Sequence, residues 1–208
     1  MSDPVHEPAA THAEGPSRND APGARSWIDV VDDRVDTWWG HRFRGRPLLD
    51  RAYYTASELG DFSLIWLLIA AANGLRSDEH DLDASLRLGA ALLVESLVVN
   101  QGVKRFFKRA RPVEDAPRPH NLRKPSTSSF PSGHASAAFT AAGLLADRDP
   151  RARPLIYGLA AFVATSRVHV RIHHASDVVG GAVLGIAFAE VARRIRPLPP
   201  RRAGTRPA

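Results

Sequence analysis

Three clusters of residues in this 208-residue chain have the types and spacing to do chemistry. The first is Lys104-Arg105-Phe106-Phe107-Lys108-Arg109-Ala110-Arg111-Pro112. Lys104 and Arg111 are two helical turns apart, so a helix continuing through this stretch would carry both on one face with Lys108 between them. Pro112 would end it. Cations there also suit a helix C-terminus or a cytoplasmic membrane anchor, so the cluster alone decides nothing. The second is Pro131-Ser132-Gly133-His134, directly ahead of an apolar run. Ser132 is a natural N-cap, and the free N–H groups behind it form a nest suited to a phosphate. His134 adds a titratable donor beside that nest, a candidate general acid. The run Ser126–Ser129 ahead of it reads as ordinary loop.

The third cluster is Ser166-Arg167-Val168-His169-Val170-Arg171-Ile172-His173-His174-Ala175-Ser176-Asp177. His173 and Asp177 are one helical turn apart. The carboxylate can take the proton on one imidazole nitrogen and leave the other as a nucleophile or base. Arg167 can offer a planar fork to phosphate oxygens. A metal site through His169, His173, His174 and Asp177 is the rival, but neither an H-E-x-x-H helix nor a carboxylate cluster accompanies it.

The elements that would position these clusters read as helices throughout. Trp27–Trp39 places Trp27, Val30, Val31, Val35 and Trp38 at near-helical spacing, with Asp29, Asp32, Asp33, Arg34 and Asp36 on the other side. This is an amphipathic helix that either lies at an interface or covers a bundle. Five core helices follow, over Leu59–Leu75, Leu86–Phe107, Gly133–Ala146, Leu155–Thr165 and Val178–Ala192, with no strand alternation. Each is short of the ~20 apolar residues that cross a bilayer alone. Phe62–Ala72 and Val178–Ala189 are nonetheless apolar all round, which favours a membrane-embedded bundle over a soluble one. Gly181 and Gly185 form a small-xxx-small pair suited to close helix contact. The expected fold is all-α, an up-down bundle of about five core helices plus the N-terminal amphipathic helix. Direction alternates in such a bundle. The first cluster ends one helix, the second begins the next, and the third joins the following two. All three therefore fall at the same end.

Composition narrows the classes further. The chain has no cysteine, which removes disulfides, thiolate metal sites and cysteine nucleophiles together. Net charge is +6, and the basic residues are concentrated in residues 101–124 and from Arg193 onward. An anionic partner is the natural inference. Nucleic acid fits poorly, because the basic patches adjoin apolar helices and lack interleaved aromatics apart from Phe106 and Phe107. Residues 1–25 hold four prolines and no apolar run, so they read as a disordered leader and not as a signal peptide. The expected organisation is leader 1–25, helical domain 26–196 and a basic disordered tail 197–208.

Taken together, Lys104-x6-Arg111-Pro112, Pro131-Ser132-Gly133-His134 and Ser166-Arg167-x5-His173-x3-Asp177 resemble the type 2 phosphatidic acid phosphatase superfamily. That group also holds bacterial non-specific acid phosphatases and vanadium haloperoxidases. The motifs and their helices cover roughly Leu59 to Arg196, and the gap of 31 residues between His134 and Ser166 is short for the family. The resemblance implies a membrane-bound, metal-independent phosphatase without a cofactor, acting on a lipid phosphate or diphosphate. Polyprenyl diphosphate, phosphatidate, phosphatidylglycerophosphate and lipid-linked sugar phosphates are the implied substrates. It implies that His173 attacks phosphorus to form a phosphohistidine, that Asp177 orients it, and that His134 protonates the leaving oxygen and then helps activate water. Lys104, Arg111 and Arg167 would neutralise the phosphate oxygens, with Ser132 and the Gly133 N–H completing the cradle. His120, His169, His174, Lys108 and Arg109 match no family position and read as local polar or interfacial groups. A vanadate-dependent haloperoxidase and a non-catalytic lipid-phosphate-binding membrane protein are the alternatives. The arginine-rich tail lies opposite the motif end, so the positive-inside rule expects a multi-pass protein of the cell membrane with an extracytoplasmic site.

Overall fold

The computed structural model describes residues 26–75, 79–113, 122 and 125–199. The expected leader, His120 and the tail beyond residue 199 lie outside the described residues. Seven α-helices are present among them: α1 Trp27–Phe43, α2 Pro47–Leu59, α3 Leu64–Gly74, α4 Glu79–Leu97, α5 Gly133–Arg148, α6 Arg153–His169 and α7 Ala175–Ile195. The up-down bundle is the expected one, and α3 to α7 are its five core helices.

Three details differ from the sequence reading. Helix α2 went unread; Pro47 stands at its first turn, where a fixed φ and a missing N–H start a helix at no cost. The run read as Leu59–Leu75 is broken. Phe62 and Ser63 take left-handed backbone (φ 53° and 60°), and α2 meets the Asp61–Gly74 stretch at 71°. The run read as Leu86–Phe107 is regular only to Leu97. It then widens into a π turn over Val98–Gly102, tightens into a 3-10 turn over Val103–Phe106 and becomes extended from Phe107. Lys104, Lys108 and Arg111 therefore do not share a helix face. Gly102, at φ −97° and ψ −82°, leaves the helical region altogether where the π turn gives way to the 3-10 turn, and four cations within six residues gain nothing from being stacked on one turn.

The centre of the bundle is α5. Eleven of its sixteen residues are buried, most of them Ala, Ser or Thr. Small side chains let neighbouring backbones approach, and α7 answers with its glycines. A Cβ on Gly181 would stand 2.3 Å from Ser132 O, and one on Gly185 would stand 2.2 Å from Ser136 O. Trp66, Leu88, Leu92 and Val163 fill the core where α3, α4 and α6 close around α5. Outward, α4 shows Leu86, Leu93, Val94 and Leu97, and α7 shows Val179, Val183 and Ile186. Helix α7 is long and apolar enough to cross a membrane, and the bent α2–α3 pair passes the same test together.

Helix α1 covers the motif end of the bundle. Its N-terminus is closed by a Ser26–Asp29 capping box. Along its length it touches the other elements through Asp29, Asp32, Asp36 and Trp39, which meet Arg109, Ser176, Arg171 and His169 respectively. Arg44 then caps α6 by donating to Val168 O at 2.7 Å and His169 O at 3.0 Å.

Candidate active site

All three clusters do meet at one end. A cavity of about 330 Å³ is lined there by Lys104, Gly133, His134, Arg167 and His173, with Asp61, Glu95 and Asn100 among its other walls. Arg111 stands on the far side of His173, beside a second opening of about 420 Å³ under α1. Ser132 and Asp177 are fully buried and do not line the cavity, so the expected Ser132 contact to phosphate is not formed by an exposed hydroxyl.

His173 is not on a helix. It sits in the turn between α6 and α7, where Arg171 has φ 52° and the N–H groups of Ile172 and His173 both donate to Arg167 O. The four-residue spacing to Asp177 therefore works differently from a helical turn. Asp177 is the third residue of α7, and its Oδ2 accepts from the His174 N–H at 2.9 Å, closing a capping box. The same oxygen accepts from Ser129 Oγ at 2.5 Å and lies 3.6 Å from His173 Nδ1, just beyond direct hydrogen-bond range. Ser129 Oγ is also 3.5 Å from that nitrogen, so the hydroxyl bridges the two.

The opposite nitrogen, Nε2, lies 3.2 Å from Arg111 Nη1. A guanidinium only donates, so Nε2 accepts and the ring proton belongs on Nδ1, facing Asp177. Burial pushes the His173 pKa down to about 3, reinforced by the charges of Arg167 and Arg111 against the attraction of Asp177. The ring is therefore neutral at ordinary pH, and the Nε2 electron pair, unprotonated, accepts from Arg111.

The cations are held by different means. Arg167, nearly fully buried at the end of α6, donates to Ser57 Oγ on α2. Arg111 is fixed by the carbonyls of Ile172, Thr127 and Ser128. Lys104 is buried in the 3-10 turn, and its pKa falls to about 8. Desolvation is the main cause, with repulsion from Arg111 and Arg167 added and Glu95 and Asp177 opposing. Gly133 leaves the space beside it open. A Cβ there would lie 3.2 Å from Asn100 Oδ1 and 3.7 Å from Lys104 Nζ. Ser132 caps α5 through a long bond from the Ala135 N–H at 3.5 Å, and its own N–H donates to Asp177 O.

His134 begins α5 as expected, and its Nε2 faces two acceptors, Asp61 Oδ1 at 3.1 Å and Ser57 O at 3.2 Å. Gly60 permits this approach, since a Cβ on it would fall 2.5 Å from the His134 ring. His169 stacks on Tyr53, accepts from Trp39 Nε1 and meets Asp50 at 2.9 Å, so both its nitrogens are engaged in bracing α1 and α2. It is not available to the metal reading, and among the described residues no group of three His, Asp or Glu converges as a metal site.

Several site residues escaped the sequence reading. Ser129 looked like loop, Ser57 lies on the unread helix, and Asp61 becomes visible only through the bend after Gly60. Glu95, buried and accepting from Ser136 Oγ, follows from no motif. Arg109 carried a signal. It is the surplus cation of the basic run, and α1 supplies the acids that meet it.

Residues 84–199 match the family model of the PAP2 superfamily. The chain belongs to this superfamily. All eight motif residues fall inside the PAP2 match, whereas α1, α2 and α3 lie before it. Among curated proteins, the chain is 32% identical over 135 residues to a decaprenylphosphoryl-5-phosphoribose phosphatase of Mycobacterium tuberculosis, covering 65% of this chain and 73% of that one. It is 33% identical over 138 residues to the Mycolicibacterium smegmatis protein of the same name, covering 66% and 73%. Its fold resembles the crystal structure of a transmembrane PAP2 type phosphatidylglycerolphosphate phosphatase from Bacillus subtilis. The TM-score is 0.59 at 24% identity, over 83% of this chain and 87% of that one. This PAP2 chain is a phosphatase.

Proposed function

We propose that this PAP2 phosphatase is a multi-pass membrane protein that hydrolyses a lipid-borne phosphate ester by way of a phosphohistidine. The observation that carries the reading is the placement of His173, whose Nε2 lies 3.2 Å from Arg111 Nη1 and whose ring lines one cavity with Lys104, His134 and Arg167. In the first step Nε2 bonds to phosphorus and the bond to the leaving oxygen breaks. Burial, with repulsion from Arg167, pushes the His134 pKa down to about 4 against the pull of Asp61, so the ring takes up a proton as the anionic phosphate enters and gives it to that oxygen. The positive charge that develops on the imidazole faces Asp177, while the three cations and the Gly133 N–H take the phosphoryl oxygens. In the second step a water gives a proton to His134 and attacks phosphorus, the P–N bond breaks, and phosphate leaves. Lys104, Arg111 and Arg167 supply the positive charge for this route, and the reaction as written uses no metal.

A lipid-linked sugar phosphate is the substrate class best supported. The named mycobacterial relatives point that way, and so does the cavity wall beyond the cations. Ser63, Glu95, Ser96, Asn100, Gln101 and Thr127 line it. Hydrogen-bonding groups of this kind suit a leaving group that carries hydroxyls more than a bare hydrocarbon. The outward apolar residues of α4 and α7 support insertion in the bilayer. Arg193, Arg194 and Arg196 lie at the end opposite the site, which supports an extracytoplasmic active site.

The test is phosphate release by detergent-purified protein in excess chelator. The panel holds a polyprenyl-linked sugar phosphate, a polyprenyl diphosphate, phosphatidate and phosphatidylglycerophosphate, each beside His173→Ala. Chelator-resistant release, fastest on the sugar phosphate and absent from the variant, is expected. Equal rates in protein and variant would overturn the nucleophile; preference for another lipid would overturn the substrate.

A further inference from the structure

Asp177 is gripped from both sides. While Oδ2 serves Ser129, His174 and His173, Oδ1 accepts from Arg109 Nη1 at 2.7 Å. That nitrogen also donates to Ser176 Oγ at 2.5 Å. The other amino group of Arg109, Nη2, donates to Asp32 Oδ2 on α1 at 2.6 Å, with Asp29 Oδ1 at 3.4 Å. Asp32 is 2% exposed. It accepts the Ser176 N–H at 2.8 Å and the Ser176 hydroxyl at 2.6 Å, so it also caps the first turn of α7. Partial burial opposes the Arg109 charge, but the two carboxylates more than offset this and hold its pKa above the ordinary value.

A cation 2.7 Å from Asp177 would, by itself, cancel the charge that His173 needs beside it. Attack on phosphorus makes the imidazole cationic, and a neutral Asp177–Arg109 pair offers that charge little. Asp32 changes the balance. The Asp32–Arg109–Asp177 trio carries a net charge of −1 in a buried place, next to the ring that turns positive. Arg109 fixes the Asp177 carboxylate in position, and Asp32 restores the negative charge that fixing it would remove.

We infer that Asp32 is a positioning residue for the His173–Asp177 couple, acting through Arg109, and that α1 is thereby part of the catalytic machinery. This goes beyond the PAP2 match, which begins at residue 84, and it rests on the phosphohistidine reading above. It also assigns a role to the acidic face of α1: Asp29 and Asp32 face the site's spare arginine.

The test uses full-length protein in detergent with the alkyl lipid phosphate hydrolysed fastest in the panel above, whose poor leaving group keeps attack by His173 the slow step, so that kcat reports on it. The variants are Asp32→Asn, Arg109→Gln, the double Asp32→Asn/Arg109→Gln, and His173→Ala. Asp32→Asn leaves the buried trio neutral, with only the partly exposed Asp29 still 3.4 Å from Arg109, and is expected to lower kcat roughly tenfold with KM within about twofold, the pattern of an interaction made in the transition state. The double variant returns the net charge to −1 and is expected to recover most of that kcat, although it has lost one more contact. A purely structural Asp32 would make the double variant as poor as the single ones or poorer, and its loss would follow thermal stability. Asp32→Asn with kcat within twofold of the parent, or a double variant without recovery, would overturn the inference. An active His173→Ala would instead overturn the phosphohistidine reading on which it rests.

Discussion

Lys104 gives the site a pH limit whose position can be worked out. Its pKa of about 8 in the empty enzyme reflects burial beside Arg111 and Arg167. It is therefore about nine-tenths protonated at pH 7 and about one-tenth at pH 9. A monoester phosphate has already lost its second proton near pH 6, so the substrate does not titrate in that window. Because kcat/KM reports the free enzyme, it is expected to fall roughly tenfold between pH 7 and pH 9. Bound phosphate brings negative charge next to the ammonium and raises its pKa again. The kcat limb is therefore expected at higher pH than the kcat/KM limb. Unfolding does not mimic this. Between about 8 and the ordinary lysine value the unfolded chain binds a proton that the folded chain does not, so this group makes the fold more stable as pH rises there.

The deciding variant is Lys104→Arg. A guanidinium stays charged across the accessible range, so the alkaline limb should disappear even where the absolute rate suffers from the different geometry. Initial rates at low and saturating substrate from pH 6 to pH 10, with melting temperatures recorded at each pH, read all of this. A parent enzyme whose kcat/KM is flat to pH 9.5, or a limb that survives in Lys104→Arg, would refute the reasoning from burial and charge.

Two further outcomes follow from the glycines. Gly133→Ala places a methyl 3.2 Å from Asn100 Oδ1 at the mouth of α5; the fold should persist while inhibition by inorganic phosphate weakens about tenfold, measured as a competitive inhibition constant. Gly185→Ala puts its Cβ 2.2 Å from a backbone oxygen of α5, which cannot swing aside; a destabilisation of about 1–3 kcal/mol is expected, read as a lower melting temperature in detergent, whereas the exposed Gly158, with open space around it, should tolerate alanine on packing grounds.

The sequence reading brings the three clusters to one end of the bundle, where the structure has them, with an incorrect account of the helix leading into it. Parity needed only that Lys104 and Arg111 follow one core helix, that Ser132 precede the next, and that Arg167 and His173 lie at the following corner. It did not need Lys104 and Arg111 to be helical, and they are not. The motif residues were legible because their chemistry is carried by type and spacing along one chain. Their supports were not legible in this way, because each is set by contact between distant segments. Ser57 and Asp61 reach His134 only because the chain turns sharply after Gly60 and then holds Phe62 and Ser63 in left-handed backbone. No local pattern announces a bend of that kind.

Charge complementarity is the exception, and it suggests how such supports can be found. The basic run holds more cations than a phosphate pocket requires, and the acids on α1 exceed what a solubilising face requires. Arg109 with Asp29 and Asp32 is where the two surpluses meet. An up-down bundle that gathers Lys104, Arg111 and Arg167 at one end creates repulsion there before any phosphate arrives, which adds to the desolvation that lowers the Lys104 pKa. A covering helix rich in aspartate relieves part of that repulsion at a distance from the phosphate oxygens, where its own charge does not compete for the cations. Helix α1 therefore belongs at this end on electrostatic grounds, independently of whether its exposed Trp27 and Trp38 also touch a lipid surface.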